Sequence, residues 1–473
     1  MAGTNPWTRR DFLKGLGAGA AALSLPCFLR RAARAEGKAP LNVVLVLIDD
    51  MGWTDVGCFG SRYYQTPRID ELAAQGMKFT DAYSACTVCS PTRAAIMTGK
   101  YPAKLHITDW IPGHRRPNAP LKIPDWTMHL PLEEVTVAEA LKPAGYATAC
   151  IGKWHLGGEA FYPDKQGFDL NVGGCHRGQP PSYFSPYRIE TMRDGGEGEY
   201  LTDRLGDEAI RFIQASKDKP FFLYLPHYAV HTPLQAKKEM RAKYQDRPGQ
   251  DGQENPVYAA MIESVDESVG RIGSELKKLG LEERTLVIFT SDNGGLKSST
   301  NNIGLRAGKG SAYEGGVRVP LIVKWPGVTK PGGVCHEPVI SPDLYPTVLE
   351  ACGVADDAAQ KAKVDGVSLV PLLKGAERLK REAIFWHYPH YHGGGATPYG
   401  AVRARDYRLV EFYEDMRVEM YNLKDDLAER KDLAATQKEK AAELREMLHR
   451  WREAVSAQMP TPSAEAKAKR ERP

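Results

Sequence analysis

The pentapeptide Cys89-Ser90-Pro91-Thr92-Arg93 opens the stretch Cys89-Ser-Pro-Thr-Arg-Ala-Ala-Ile-Met-Thr-Gly-Lys100. Ser90 suits a helix N-cap and Pro91 a first helical position. Ala94 to Met97 favour helix, and Gly99 is placed to end it. This predicts Cys89 just ahead of a helix N-terminus, where backbone N–H groups and the dipole favour an anion. Arg93, one turn in, can reach back to the same spot. A structural cysteine at a helix start explains the pentapeptide alone equally well. Other residues suggest a metal site. Asp49, Asp50, Asp292 and Asn293 offer three carboxylates and an amide from two strand ends, and a hard dication wants several oxygen ligands. Taken singly, Asp-Asp after a strand reads as a turn or cap, and Asp-Asn-Gly-Gly as a tight turn.

Three further segments carry polar groups. Lys153 and His155 lie in Gly152-Lys-Trp-His-Leu-Gly157, and His231 precedes Thr232-Pro233. Lys309 opens Gly308-Lys-Gly-Ser-Ala-Tyr-Glu314-Gly-Gly-Val-Arg318-Val-Pro320. Glu314 and Arg318 read as residues that hold that loop in place. His227 reads as ambiguous between structure and chemistry.

Cys-x-Pro-x-Arg followed by Ala-Ala and Thr-Gly resembles the signature of the formylglycine-dependent sulfatases, in the alkaline phosphatase superfamily. The similarity recurs in five separated motifs from about Leu41 to about Leu433. It implies that a formylglycine-generating maturase converts Cys89 to formylglycine, whose hydrated aldehyde is the nucleophile. It implies one calcium ion per chain, held by Asp49, Asp50, Asp292, Asn293 and the oxygen at position 89. It implies that Arg93, Lys153 and Lys309 stabilise the sulfuryl oxygens. His231 and Lys309 would protonate the leaving alcohol, and His155 would act as base. Two rivals stand beside this: a formylglycine-dependent phosphonate monoester or phosphodiester hydrolase, and a catalytically silent sulfate-glycan binding protein. Asn293 favours sulfate over phosphonate, because those relatives tend to place histidine after the late metal aspartate.

The elements that must position these groups are legible in outline. Leu41–Ile48, Tyr146–Ile151, Pro220–Leu225 and Thr285–Thr290 are continuous apolar runs. Such runs suggest strands covered on both faces. Helical patterns, such as those beginning at Ile69 and Val135, lie between them. The expected fold is α/β: a large, mostly parallel mixed sheet flanked by helices, with ligands beyond the C-terminal strand ends. After about Leu373 the segments shorten, which predicts a smaller C-terminal antiparallel sheet plus a helix. Thr436 and Glu439 read as a capping box for that helix, and Leu444, Met447, Leu448, Trp451 and Val455 as its packing stripe. The expected organisation is a signal peptide over 1–35, a catalytic domain over 36–373, a smaller domain over 374–458 and a disordered tail over 459–473.

The chain has 473 residues and a formal net charge of +4. Residues 1–35 carry Arg9, Arg10, Lys14, Arg30, Arg31 and Arg34 against Asp11 alone. The remainder is therefore close to neutral, which gives no electrostatic case for nucleic acid. Thr8-Arg-Arg-Asp-Phe-Leu-Lys14, a short Gly/Ala-rich apolar run and Ala33-Arg34-Ala35 make a twin-arginine signal. The expected partners are the twin-arginine export machinery and a sulfated small molecule or glycan. The expected location is periplasmic or secreted, with no stable membrane span. Of the eight cysteines, Cys27 leaves with the signal and Cys89 is the residue to be modified; the six that remain show no metal-type spacing, and buried free thiols are expected for most of them. A sulfated carbohydrate is the expected substrate, with aryl sulfates as surrogates. Asp109, Trp110, His390 and His392 are the candidate substrate contacts, because aromatic and hydrogen-bonding groups suit sugar rings.

Overall fold

A computed structural model describes residues 40–114, 116, 118–355 and 358–463. The signal segment, Cys27 and residues 464–473 lie outside the described residues. The strands of the main sheet are β1 (Asn42–Ile48), β2 (Met77–Phe79), β3 (Ala147–Ile151), β4 (Leu170–Val172), β5 (Phe221–Pro226), β6 (Thr285–Ser291), β7 (Leu321–Lys324) and β8 (Gly333–Cys335). Their order across the sheet is β8-β2-β7-β6-β1-β5-β3-β4. β1 is central and parallel to both β5 and β6, with Val46 opposite Leu225 and Phe289. β7 runs antiparallel to β6 and β2, so the sheet is mixed.

The central strands are apolar on both faces because helices cover both. All seven residues of β1 are buried, and each large aliphatic side chain so placed contributes roughly 1.5–3 kcal/mol. α1 (Cys89–Thr98) is buried at every position. It begins two residues earlier than expected. Val88 is the N-cap, Cys89 is already helical, and no side chain caps the end. Ser90 is instead used sideways: its Oγ donates to the His155 carbonyl and accepts from the Ile111 N–H. Gly99 ends the helix as expected, at φ 70°. A Cβ there would press on Tyr345 and Val364.

A second sheet runs antiparallel in sequence order: β9 (Ile384–Tyr388), β10 (Tyr399–Ala404), β11 (Tyr407–Phe412) and β12 (Val418–Asn422). Helix α2 (Lys438–Ala454) packs on it through Leu444 and Leu448, with Met447 and Trp451 beside them. The expected capping box is absent: Gln437 is the N-cap, and Thr436 Oγ1 donates to the Leu433 carbonyl instead. One buried cluster crosses from Tyr83, Val88, Ala95 and Tyr101 to Trp386, Tyr388, Tyr399 and Val410. The tail expected to be disordered is ordered at its start. Thr461–Pro462 pairs antiparallel with Leu121–Lys122, and backbone pairing offsets the entropy that composition alone suggested.

Candidate active site

The C-terminal ends of β1, β3, β5 and β6 deliver Asp49-Asp50, Lys153, His231 and Asp292-Asn293 to one edge of the sheet. α1 adds Cys89 and Arg93 from above, and the loop after β6 adds Lys309. Asp49, Asp50, Lys153, Asp292, Asn293 and Arg93 are all buried. Asp49 Oδ2 lies 2.6 Å from Lys153 Nζ, and Asp50 Oδ1 2.6 Å from Lys309 Nζ. Asp292 Oδ2 takes the Arg93 fork, Nε at 2.9 Å and Nη2 at 2.8 Å. Arg93 also donates to the Lys153 carbonyl. Three carboxylates thus face three cations. Ligand atoms of Asp49, Asp50, Cys89 and His231 lie within 4.8 Å of one another.

Burial dominates the electrostatics. It pushes Asp49 up to about 7, against the pull of Lys153 and Arg93. Burial also works against ionisation of Asp50, but Lys309, His231 and Lys153 outweigh it and hold that carboxyl low. Burial would strip the proton from Lys309, yet Asp50 keeps it charged. The Cys89 thiol lies 3.5 Å from Asp49 Oδ1 and 3.5 Å from Lys309 Nζ. Burial pushes it up to about 12, so as a thiol it is a poor nucleophile at neutral pH.

The residues fit a hard dication. Asn293 Nδ2 donates to Asp50 Oδ1, while Asn293 Oδ1 is a buried acceptor with no donor. An orphaned amide oxygen among three carboxylates is what an oxygen-ligated cation would satisfy. Asp49, Asp50, Asp292 and Asn293 would hold it. Adding a dication to three balanced ion pairs leaves the pocket positive, which suits an anionic ester.

The two proposed proton carriers differ. His155 Nε2 donates to the Ile111 carbonyl at 2.6 Å, and its buried Nδ1 has no partner. Burial, with Lys153 beside it, holds His155 well below its usual range. It is neutral with a free lone pair on Nδ1. His231 bonds the Thr232 carbonyl through Nδ1 and turns Nε2 to Asp50 Oδ2 at 3.6 Å. His227 is buried against Ser268, a structural role.

The substrate candidates separate. His390 does not reach the site: it is buried, its Nε2 bonds Thr108 Oγ1 and its ring meets Trp126 edge-on. Asp109 is also buried. It accepts from Tyr388 Oη and the Trp110 N–H, and burial pushes it up to about 7. Its hydrogen bonds therefore hold the loop in place. Trp110 and His392 remain accessible. The Trp110 ring lies 6.5 Å from that of His155. The His392 ring occupies the space where a Cβ on Gly310 would lie, next to Lys309. His114 links them, 5.0 Å from Trp110 and 5.1 Å from His392. No sequence signal marked His114, since it sits in an irregular loop. The described cysteines are unpaired; Cys86, Cys89, Cys150 and Cys175 are buried, and Cys58, Cys335 and Cys352 are partly exposed.

Comparison with known proteins agrees with this geometry. A family profile described as Sulfatase matches residues 41–354, and one described as N-sulphoglucosamine sulphohydrolase, C-terminal, matches 308–458. The twin-arginine translocation pathway signal profile matches residues 8–26. Among the described residues no helix is long and apolar enough to cross a membrane. The signal marks a periplasmic or secreted protein. A sulfatase of Formosa agariphila is 33% identical, covering 83% of this chain and 84% of the relative. Human arylsulfatase A is 36% identical, covering 74% and 71%. The crystal structure of Ps i-CgsB in complex with k-i-k-neocarrahexaose superposes with a TM-score of 0.76 at 31% identity, covering 91% and 97%. The chain belongs to the sulfatase family and is a hydrolase of sulfate esters.

Proposed function

We propose that the enzyme releases sulfate from a sulfated carbohydrate, through a formylglycine made from Cys89 and a calcium ion held by Asp49, Asp50, Asp292 and Asn293. The observation that carries this reading is the position of Cys89. Its Sγ lies between Asp49 Oδ1 and Lys309 Nζ, at the helix N-terminus and within 4.8 Å of ligand atoms of Asp49 and Asp50. The hydrated aldehyde and the ion would supply a metal-activated hydroxyl nucleophile and, in the second hydroxyl, a means to expel sulfate.

The chain's own residues do the rest. Lys153 and Lys309 present ammonium groups to a sulfuryl group above Cys89, and Arg93 fixes Asp292 from below. Lys309 Nζ keeps its proton beside Asp50 and is placed to pass it to the leaving oxygen; the His231 ring, its proton on Nδ1 and burial pushing it down to about 3, lies alongside with Nε2 as an acceptor. His155 Nδ1 is unprotonated and unpartnered, as a general base requires. The hydrogen bond from Nε2 to the Ile111 carbonyl fixes that tautomer.

The sugar preference rests on the wall of Trp110, His114 and His392 that runs from His155 to Lys309. Trp110 Nε1 donates to His114 Nδ1, and the Gly394 N–H donates to His392 Nδ1. Each imidazole therefore offers an Nε2–H to a hydroxyl, beside an indole face. The hexaose bound by Ps i-CgsB supports the same class of substrate. The test compares kcat/KM for an aryl sulfate with those for galactose, N-acetylgalactosamine and glucosamine sulfates. His392→Ala should lower the best sugar value about tenfold, as for one lost polar contact, and leave the aryl sulfate nearly unchanged. Rapid aryl turnover with no sulfated sugar cleaved would overturn the carbohydrate assignment.

A further inference from the structure

Behind the His155 ring, a loop gathers three metal-ligand types that the sulfatase chemistry leaves unused. Ligand atoms of Cys175, His176 and Glu190 lie within 4.8 Å of one another. His176 Nδ1 is 2.8 Å from Glu190 Oε1, and Tyr162 Oη donates to the same oxygen at 2.8 Å. Arg177 Nε stands 3.4 Å from Glu190 Oε2. The thiol is buried beneath, 3.6 Å from Tyr228 Oη. The His176 and Glu190 side chains are half exposed above it, at 52% and 38%.

Sulfur, imidazole nitrogen and one carboxylate oxygen are a poor set for calcium and a good one for zinc-like ions. A thiolate and a carboxylate neutralise a dication, which suits a partly buried position. Three protein ligands leave a fourth position for water. Binding would release the thiol proton to solvent, so affinity would rise with pH. The loop is also tied to His155. The His155 N–H donates to the Cys175 carbonyl at 3.0 Å, and a Cβ on Gly178 would stand 2.6 Å from His155 Cε1.

We propose that Cys175, His176 and Glu190 form a second metal site, for a borderline transition dication such as Zn2+, and that its occupancy is felt at His155. The second half rests on the role proposed above for His155; the first half does not.

The full-length protein, saturated with calcium, is titrated with Co2+ and read by absorption. One equivalent should give a thiolate-to-cobalt charge-transfer band and tetrahedral visible bands, both removed by Zn2+. His176→Ala, a change at a half-exposed side chain, should weaken Co2+ binding at least about tenfold. Cys175→Ser should abolish the thiolate band, and Cys89→Ala should keep it. No band, or a band lost in Cys89→Ala and kept in His176→Ala, would overturn the site. Zn2+ should change sulfate-ester turnover in the parent protein and not in His176→Ala; an equal response in both would overturn the link to His155. The cobalt readout needs no turnover, so it stands or falls apart from the sulfatase reading.

Discussion

Two clusters of buried charge flank the segment Gly308–Val317, and they are built for opposite ends. On one side, Asp81, Glu314, Glu429, Arg318, Arg403 and Arg408 tie the two sheets together. Arg318 meets Glu314 at 2.9 Å and Asp81 at 3.2 Å, Arg403 meets Asp81 at 2.6 Å, and Arg408 meets Glu429 at 2.6 Å. Backbone groups take up further valences: Glu314 N–H donates to Glu429, and Arg408 donates to the Ala312 carbonyl. The two atoms without a hydrogen bond, Glu314 Oε1 and Arg408 Nε, face each other at 3.5 Å. On the other side, the active-site charges are equally buried, yet Asn293 Oδ1 and His155 Nδ1 face no protein partner. Closed pairs specify one arrangement of the chain; a cluster with free valences specifies a guest.

The sharpest test removes the nucleophile. Cys89→Ala should lower sulfate release by on the order of 10⁴-fold or more, while its urea midpoint stays near that of the parent. Sulfate release at the parent rate from purified Cys89→Ala would place the chemistry elsewhere. On the closed side, Arg408→Ala leaves Glu429 buried without its partner. It should cost about 3–5 kcal/mol of unfolding free energy, with a far smaller effect on turnover per folded molecule. A variant as stable as the parent would erase the contrast.

Calcium removal probes the open valences without mutation. Chelation should lower the melting temperature and abolish turnover, and calcium should restore both. At a free concentration one hundred times Kd the ion stabilises by about 2.7 kcal/mol. An unchanged melting curve after complete chelation would show that Asn293 and the carboxylates hold no ion.

The smallest effect lies at the seam, where Asp109 joins the active-site loop to Tyr388 of the second sheet. Its value in the fold, about 7, lies above the ordinary 3.8. The neutral carboxyl therefore stabilises fully below about pH 4, and that stabilisation is lost as pH rises through about 7. Asp109→Asn stays neutral. Its melting temperature should gain on that of the parent, by a few degrees, between those limits. A gap that stays constant with pH would contradict the assignment.

How far the sequence could be read follows the same physics. β1, β3, β5 and β6 were legible because strands covered on both faces are written as unbroken apolar runs. β2, β7 and β8 were not: three or four residues carry no period, and the antiparallel β7 is fixed by partners far along the chain. The charged constellation was legible because each member sits at a strand end or in a recognisable motif. His390 was misjudged and His114 missed for one reason. Both lie in irregular loops, where a one-residue difference decides whether a ring faces Thr108 or the site. Ser90 was read as a cap because local preference points that way, but a tertiary partner, the His155 carbonyl, claimed its hydroxyl.

The pairing of Thr461–Pro462 with Leu121–Lys122 has a mechanical meaning. It is two residues long and exposed at Thr461, Pro462 and Lys122, so it belongs among the first parts of the molecule to open. Ser463 N–H bonds the Pro120 carbonyl, and Leu121 N–H bonds Tyr391 Oη, next to His392. Residues 461–463 thus act as a latch on the segment that borders the pocket rim. Trimming the chain at residue 458 would leave the chemistry in place and let that rim breathe, so amide exchange should quicken first around residues 119–123.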